Sequence, residues 1–227
     1  MKYDFNIIIK KTNRIKTVSF LIKNQSVILS VPKYISSNEI DSLIESKIHW
    51  IKKKLFTEKE NNLQNKRLYL EGEIFLYLGK EFQLKINKNK TPSIVIKEND
   101  LLITMNEPVN LFKIKQNIRE WYKNKSINKL NIVHKYYESL TGLKVNKIKF
   151  GEYKSKWGSC NSNKVISYDW RIIMAPNSVI NYLVVHEISH LLHPNHSQYF
   201  WQHVEKFIKD YRDQRKWLKN NSNKLVL

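Results

Sequence analysis

The chain has 227 residues, 41% hydrophobic and 12% aromatic, which excludes disorder and suffices for one large domain or two small ones. The net charge of +20 points to a polyanionic partner such as nucleic acid or nucleotides, or else to compositional bias, since lysine is spread through every segment. The single cysteine, Cys160, excludes an internal disulfide; no run reaches the roughly 20 apolar residues of a membrane span; and Met1 to Ile7 lack a signal core, so the cytoplasm is the expected compartment.

Residues 5–9, 17–22 and 26–31 alternate in the strand manner. Polar turns at Asn13 and Asn24-Gln25 separate them and Pro32 ends the run, which predicts a small antiparallel sheet. Ser36 and Glu39 have the spacing of a capping box. Ile40, Leu43, Ile44, Ile48, Ile51 and Leu55 follow at helical spacing, predicting one helix over about 36–56. Residues 57–67 read as a polar linker. Further strands are predicted at 68–70, 74–78, 82–86, 93–96 and 101–104, continuing the first sheet.

After Pro108 the period changes. Leu111, Ile114, Ile118, Trp121, Ile127, Leu130, Val133 and Leu140 mark a long helix or a helix pair, which Gly142 stops. Strands return at 145–150 and 165–170, with Lys154-Ser155-Lys156-Trp157-Gly158-Ser159-Cys160 between them. Pro176-Asn177-Ser178 opens another helix. Ser197 caps a last one, with Phe200, Val204, Phe207, Ile208 and Tyr211 on its buried stripe, and the tail from Asn220 is expected to fray. The fold class is α+β. A β-rich N-terminal region spans 1–107 with one helix, and a second α+β region, 108–227, carries the chemistry.

That chemistry sits in His186-Glu187-Ile188-Ser189-His190, inside an apolar run that begins at Val179. Residues four apart share a helix face, so His186 and His190 can reach one metal ion. Glu187 is turned by about 100° from His186 and flanks the ion without ligating it. A carboxylate there can accept a proton from water, as the general base of a zinc hydrolase does. The third ligand must come from another direction. Pro194-Asn195 reads as helix stop and turn, and His196 returns from beyond it. His193, which precedes the proline, and Glu205, on the next predicted helix, are the alternatives.

The stretch Lys154–Cys160, then Tyr168-Asp169-Trp170-Arg171, Ala175-Pro176, Val185–Leu191, Pro194–Ser197 and Phe200-Trp201 together resemble the YgjP-like metallopeptidase family, a relative of the SprT-like zinc proteases. Upstream, Glu71-Gly72, Tyr77-Leu78-Gly79-Lys80 and Trp121-Tyr122 fall in the order the family shows. The resemblance implies a β-rich N-terminal half and a zincin-like C-terminal half. It also implies zinc on His186, His190 and His196, with Glu187 as base and a peptide or protein as substrate. Lys156 departs from the pattern: members more often carry arginine there, which grips a carboxylate in bidentate fashion.

Trp157 to Cys160 can be read as a strand edge beside the metal, where an extended peptide would pair, or as a turn packed under the helix. Packing is the expectation for Trp157 and Cys160. Lys156 and Arg171 are candidates for contact with substrate or for orienting a ligand histidine, and Asp169 is expected to be an ordinary surface residue. Two rivals to a peptidase remain. One is a nucleotide or phosphoanhydride hydrolase using the same site. The other is a basic nucleic-acid-binding domain with structural zinc, which the lack of cysteines disfavours.

Overall fold

Alternating apolar residues in the first thirty positions form β1 (Asn6–Thr12), β2 (Ser19–Lys23) and β3 (Ser26–Pro32). The computed structural model describes residues 3–64, 67–89, 91–106 and 110–227. Asn24 and Gln25, both at positive φ, make the two-residue turn between β2 and β3. β1 lies on the other side of β3 and runs parallel to it, so the sheet is mixed, in the order β1-β3-β2, and not antiparallel throughout as predicted. The most apolar strand takes the centre: Val27, Leu29 and Val31 of β3 are fully buried.

The predicted helix over 36–56 is two helices, α1 (Ser37–Ser46) and α2 (Ile48–Gln64). The capping box forms: Glu39 N donates to Ser36 Oγ at 3.3 Å, and Ser36 N to Glu39 Oε2 at 2.9 Å. At Lys47 the backbone leaves the helical region (φ −113°, ψ 6°) and its N–H reaches back to Ile44, a break that leaves the apolar spacing intact. The expected linker 57–67 is helical as far as Gln64. Glu58 explains part of this: its carboxylate accepts the N–H groups of Asn24 (3.1 Å) and Gln25 (2.9 Å), anchoring α2 to the β2–β3 turn. Ile40, Ile44 and Ile51 complete this core.

The chain divides into two compact units, Met1–Lys66 and Arg67–Leu227. The expected boundary at 107/108 lies outside the described residues. β4 (Ile74–Tyr77), β5 (Lys80–Lys88), β6 (Ser93–Lys97) and β7 (Asp100–Met105) form their own sheet, ordered β4-β5-β7-β6, and do not extend the first. Their inward side chains, among them Phe75, Leu84, Leu101 and Ile103, join the core of the residues that follow, which is why they belong to the second unit. The predicted strand at 68–70 does not form. The Glu73 carboxylate accepts the N–H groups of Leu68 (3.1 Å), Tyr69 (2.5 Å) and Leu70 (3.3 Å), the donors a ladder would need.

α3 (Leu111–Thr141) is one helix, capped by the Asn110 side chain and ended by Gly142 at φ 71°. β8 (Lys147–Gly151), β9 (Gly158–Cys160) and β10 (Val165–Asp169) form a third sheet, ordered β8-β10-β9. α4 (Asn177–Ser189) follows. The last predicted helix is α5 (Gln198–Phe207) plus α6 (Tyr211–Asn221); Ser197 occupies the cap position of α5 without a side-chain hydrogen bond. The tail is anchored and not frayed: Leu225 is fully buried, and Arg67 Nε donates to Val226 O at 3.3 Å. The fold is mixed α+β, with a β-rich N-terminal half and a helical C-terminal half. No helix among the described residues is long and apolar enough to cross a membrane.

Candidate metal centre

α4 is apolar around most of its circumference, so it is buried in the second unit and not laid on its surface. Val179, Ile180, Val184, Val185 and Ile188 are fully buried, each contributing about 1.5–3 kcal/mol. This anchorage fixes where His186 and Glu187 point. The helix ends at Ser189, and His190 is its C-cap residue in helical conformation, one turn on from His186. His193 N–H returns to Ser189 O at 3.0 Å, closing the turn before Pro194. The chain then doubles back and brings in His196.

His186, His190 and His196 each present a ring nitrogen within 4.8 Å of the others. His186 Nε2 and His196 Nε2 are 3.0 Å apart. His190 Nδ1 lies 3.0 Å from the carbonyl oxygen of His193. A carbonyl only accepts, so Nδ1 carries a proton; in the neutral tautomer this contact selects, Nε2 keeps the lone pair that a metal binds. Tyr182, one turn before His186, places its hydroxyl 3.4 Å from His186 Nδ1. Burial, reinforced by the other two histidines and by Arg215, pushes the His186 pKa down to about 3, and burial lowers that of His196. Both are therefore neutral, as ligands must be.

Glu187 is buried, and its Oε2 has no hydrogen-bond partner among the described residues. Burial pushes its pKa up to about 8, against the lowering influence of Lys156. An orphaned buried carboxylate oxygen is costly unless a ligand, water or cation meets it. It lies with the histidines in a cleft of about 450 Å³, whose other wall is β9 with Asn161 and Ser162. Three converging imidazoles, one set in its ligating tautomer, and a carboxylate oxygen with no partner among the described residues fit a divalent metal ion.

His193 and Glu205 are not in this cluster. His193 contributes its backbone carbonyl, while the Glu205 carboxylate pairs with Arg212 at 3.1 Å. Trp157 and Arg171 do not reach the histidines either. Trp157 Nε1 donates to Ser222 Oγ at 3.0 Å, and the Arg171 guanidinium lies over the Trp157 ring; both line a separate cleft with the C-terminal residues. Arg171 is held by Asp169 through Nε (2.9 Å) and Nη2 (2.6 Å). Asp169 is fully buried, not a surface residue, because it also accepts the N–H groups of Arg171 and Tyr153. Lys156 donates to Ser159 Oγ at 2.8 Å, on the wall of the cleft, and its charge lowers the pKa of Glu187 against the effect of burial. Cys160 lines the cleft but is not part of the histidine cluster; burial first, then the Glu187 charge, raises its pKa.

Three residues support the cluster that the motif alone does not single out. The fully buried Phe200 packs against all three imidazoles, at centroid distances of 4.9, 4.6 and 4.7 Å. Trp201 stacks on His196 at 5.5 Å, and the Arg215 guanidinium sits 4.7 Å from the Trp201 ring centre. Phe200 carried a signal as part of the apolar stripe of its helix. Arg215 carried none, since it reaches the site only through the packing of α6.

Among curated proteins, none matches this sequence. Among solved structures, the metallopeptidase zymogen abylysin of Pyrococcus abyssi is similar over 40% of this chain and 93% of its own, at 20% identity and a TM-score of 0.35. The family model described as YgjP-like, metallopeptidase domain, matches residues 16–221. A match running over nearly the whole chain makes this protein a member of the YgjP-like metallopeptidase family.

Proposed function

We propose that the chain is a zinc-dependent peptidase, with the ion on His186, His190 and His196 and with Glu187 as general base. One observation supports this above the others. Three imidazoles converge within 4.8 Å beside a buried carboxylate whose Oε2 has no partner among the described residues. When bound, zinc supplies Lewis acidity, polarising a carbonyl and acidifying water. Glu187 accepts the proton of the attacking water and passes it to the departing amine nitrogen. Its burial favours the protonated form, and a cation nearby favours the ionised one, so both states come within reach near neutrality. The His193 carbonyl keeps His190 in one tautomer, and Phe200 and Trp201 keep the rings from turning. β9 is an edge strand lining the cleft, and an extended substrate would pair with its backbone.

Purified protein is expected to carry about one zinc per chain, lost in His196→Ala, by elemental mass spectrometry. Glu187→Gln should keep the metal and lose turnover of a fluorogenic peptide pool. Zinc unaffected by His196→Ala would remove that histidine from the ligand set. Turnover by Glu187→Gln at normal zinc content would remove the role given to Glu187.

A second reading draws on the charges that act at the site, Lys156 on Glu187 and Arg215 on His186 and His196, both cationic. They suit a phosphoanhydride as well as a peptide. Glu187-dependent phosphate release from a nucleotide panel, without peptide cleavage, would favour it.

A further inference from the structure

Glycines are usually explained by backbone conformation, and Gly158 cannot be. Gly72, Gly79 and Gly142 occupy the left-handed region, but Gly158 does not. It lies in ordinary strand pairing opposite Tyr168 of β10, and its φ does not call for glycine. What distinguishes it is space. A Cβ at Gly158 would stand 2.7 Å from both Cγ and Cδ of Glu187, and closer still to Oε1. Carbon atoms in contact prefer about 3.5–4.0 Å.

We propose that Gly158 is a positioning residue for Glu187: its bare Cα is the seat against which the carboxylate rests, and the absence of a side chain there sets where the proposed base stands. The inference rests on the role given to Glu187 above. Neither backbone can retreat. β9 is held by its ladder to β10, where Ser159 faces Ser167 and Cys160 faces Ile166, and by the Asp169 N–H to Trp157 O at 2.8 Å. α4 is held by fully buried Val184, Val185 and Ile188 on either side of Glu187. The part free to yield is the end of the glutamate. A methyl group at position 158 would swing the carboxylate off its seat and towards the cleft that also holds His186 and His190.

The test begins with stability in the absence of metal, as a double-mutant cycle. Gly158→Ala should lower the melting temperature of the intact chain by about 4 °C or more, an effect expected of a crowded core. In a Glu187→Ala background, where the crowding partner is gone, the same change should cost little. An equal loss in both backgrounds would show that the methyl group clashes elsewhere, and would overturn the seat. Crystal structures of the wild type and Gly158→Ala should show the glutamate displaced over unmoved backbones. A Glu187 that stays in place while β9 moves would likewise overturn it.

Turnover then separates this inference from the reading beneath it. With zinc content unchanged, Gly158→Ala should lower kcat on the peptide pool by about 100-fold, as a misplacement near 1 Å can. It should cost nothing further in Glu187→Gln. If Glu187→Gln is inactive and Gly158→Ala is as active as wild type, the positioning role fails and the base survives. If Glu187→Gln remains active, the base fails, and the stability cycle still decides whether Gly158 seats the side chain.

Discussion

The sheets β1-β3-β2 and β8-β10-β9 share one topology and differ in what lies beside them. In each, the last strand takes the centre, the first runs parallel to it and the second antiparallel. β5, β6 and β7 repeat the scheme. In the first unit the central strand faces aliphatic side chains of α1 and α2, and no described buried residue there is polar. In the second unit the antiparallel strand is three small residues, Gly158, Ser159 and Cys160, set against a glutamate. Ser126, His134, Asp169, Glu187 and Ser189, the described buried polar residues, all belong to that unit. One strand arrangement thus serves as plain scaffold in one place and as the wall of a site in another. What separates them is side-chain size at an edge and the polar groups the core tolerates.

That comparison can be broken most sharply at Glu187. Glu187→Gln is expected to reduce peptide turnover by about 10²–10⁴-fold at unchanged zinc content, the range for loss of a general base. Next is the buried ion pair. Asp169→Ala leaves Arg171 without its bidentate partner and the Tyr153 N–H without an acceptor, and should cost about 3–5 kcal/mol in urea denaturation. Asp169→Ala as stable as wild type would mean that the buried polar groups of the second unit can be removed as freely as surface ones.

A control from the first unit sharpens the contrast. Leu29→Ala should cost about 2–5 kcal/mol by the same measurement, through the cavity it leaves. Below its unfolding transition it should not alter kcat. A large fall in kcat would give the first unit a share in the chemistry.

The smallest effect concerns His134. Burial lowers its pKa below the usual 6.5, so the folded state favours the neutral ring and the unfolded state binds the extra proton. Its contribution is therefore intact above pH 6.5 and declines as pH falls from there towards the depressed folded value. His134→Leu should lose less stability than wild type between pH 7 and 5. Identical pH profiles would show that the ring is not a source of acid sensitivity.

The elements that were legible in the sequence are those whose physics is local. Ser36 and Glu39 cap a helix because three residues bring them together. Gly142 ends α3 because it takes a positive φ cheaply. His186 and His190 share a face by helical spacing, and Pro194 marks where the chain turns back. Errors came where a polar side chain outside the apolar pattern decides, near or far in the chain. Leu68 to Leu70 alternate like a strand, yet Glu73 takes their N–H groups. Residues 57–64 look like linker, yet Glu58 ties the helix to a hairpin more than thirty positions earlier.

The sequence by itself determined the candidate donors, most of the order of elements and the family they belong to, because residue type, periodicity and capping are written within a few residues. Tertiary structure decided the rest. It put β1 beside β3, buried Asp169, anchored the tail, and set Gly158 under Glu187. Periodicity tells which face of an element is buried but not against what. Contacts between residues tens of positions apart depend on the space left when all the elements close together, and that space exists only in the folded chain.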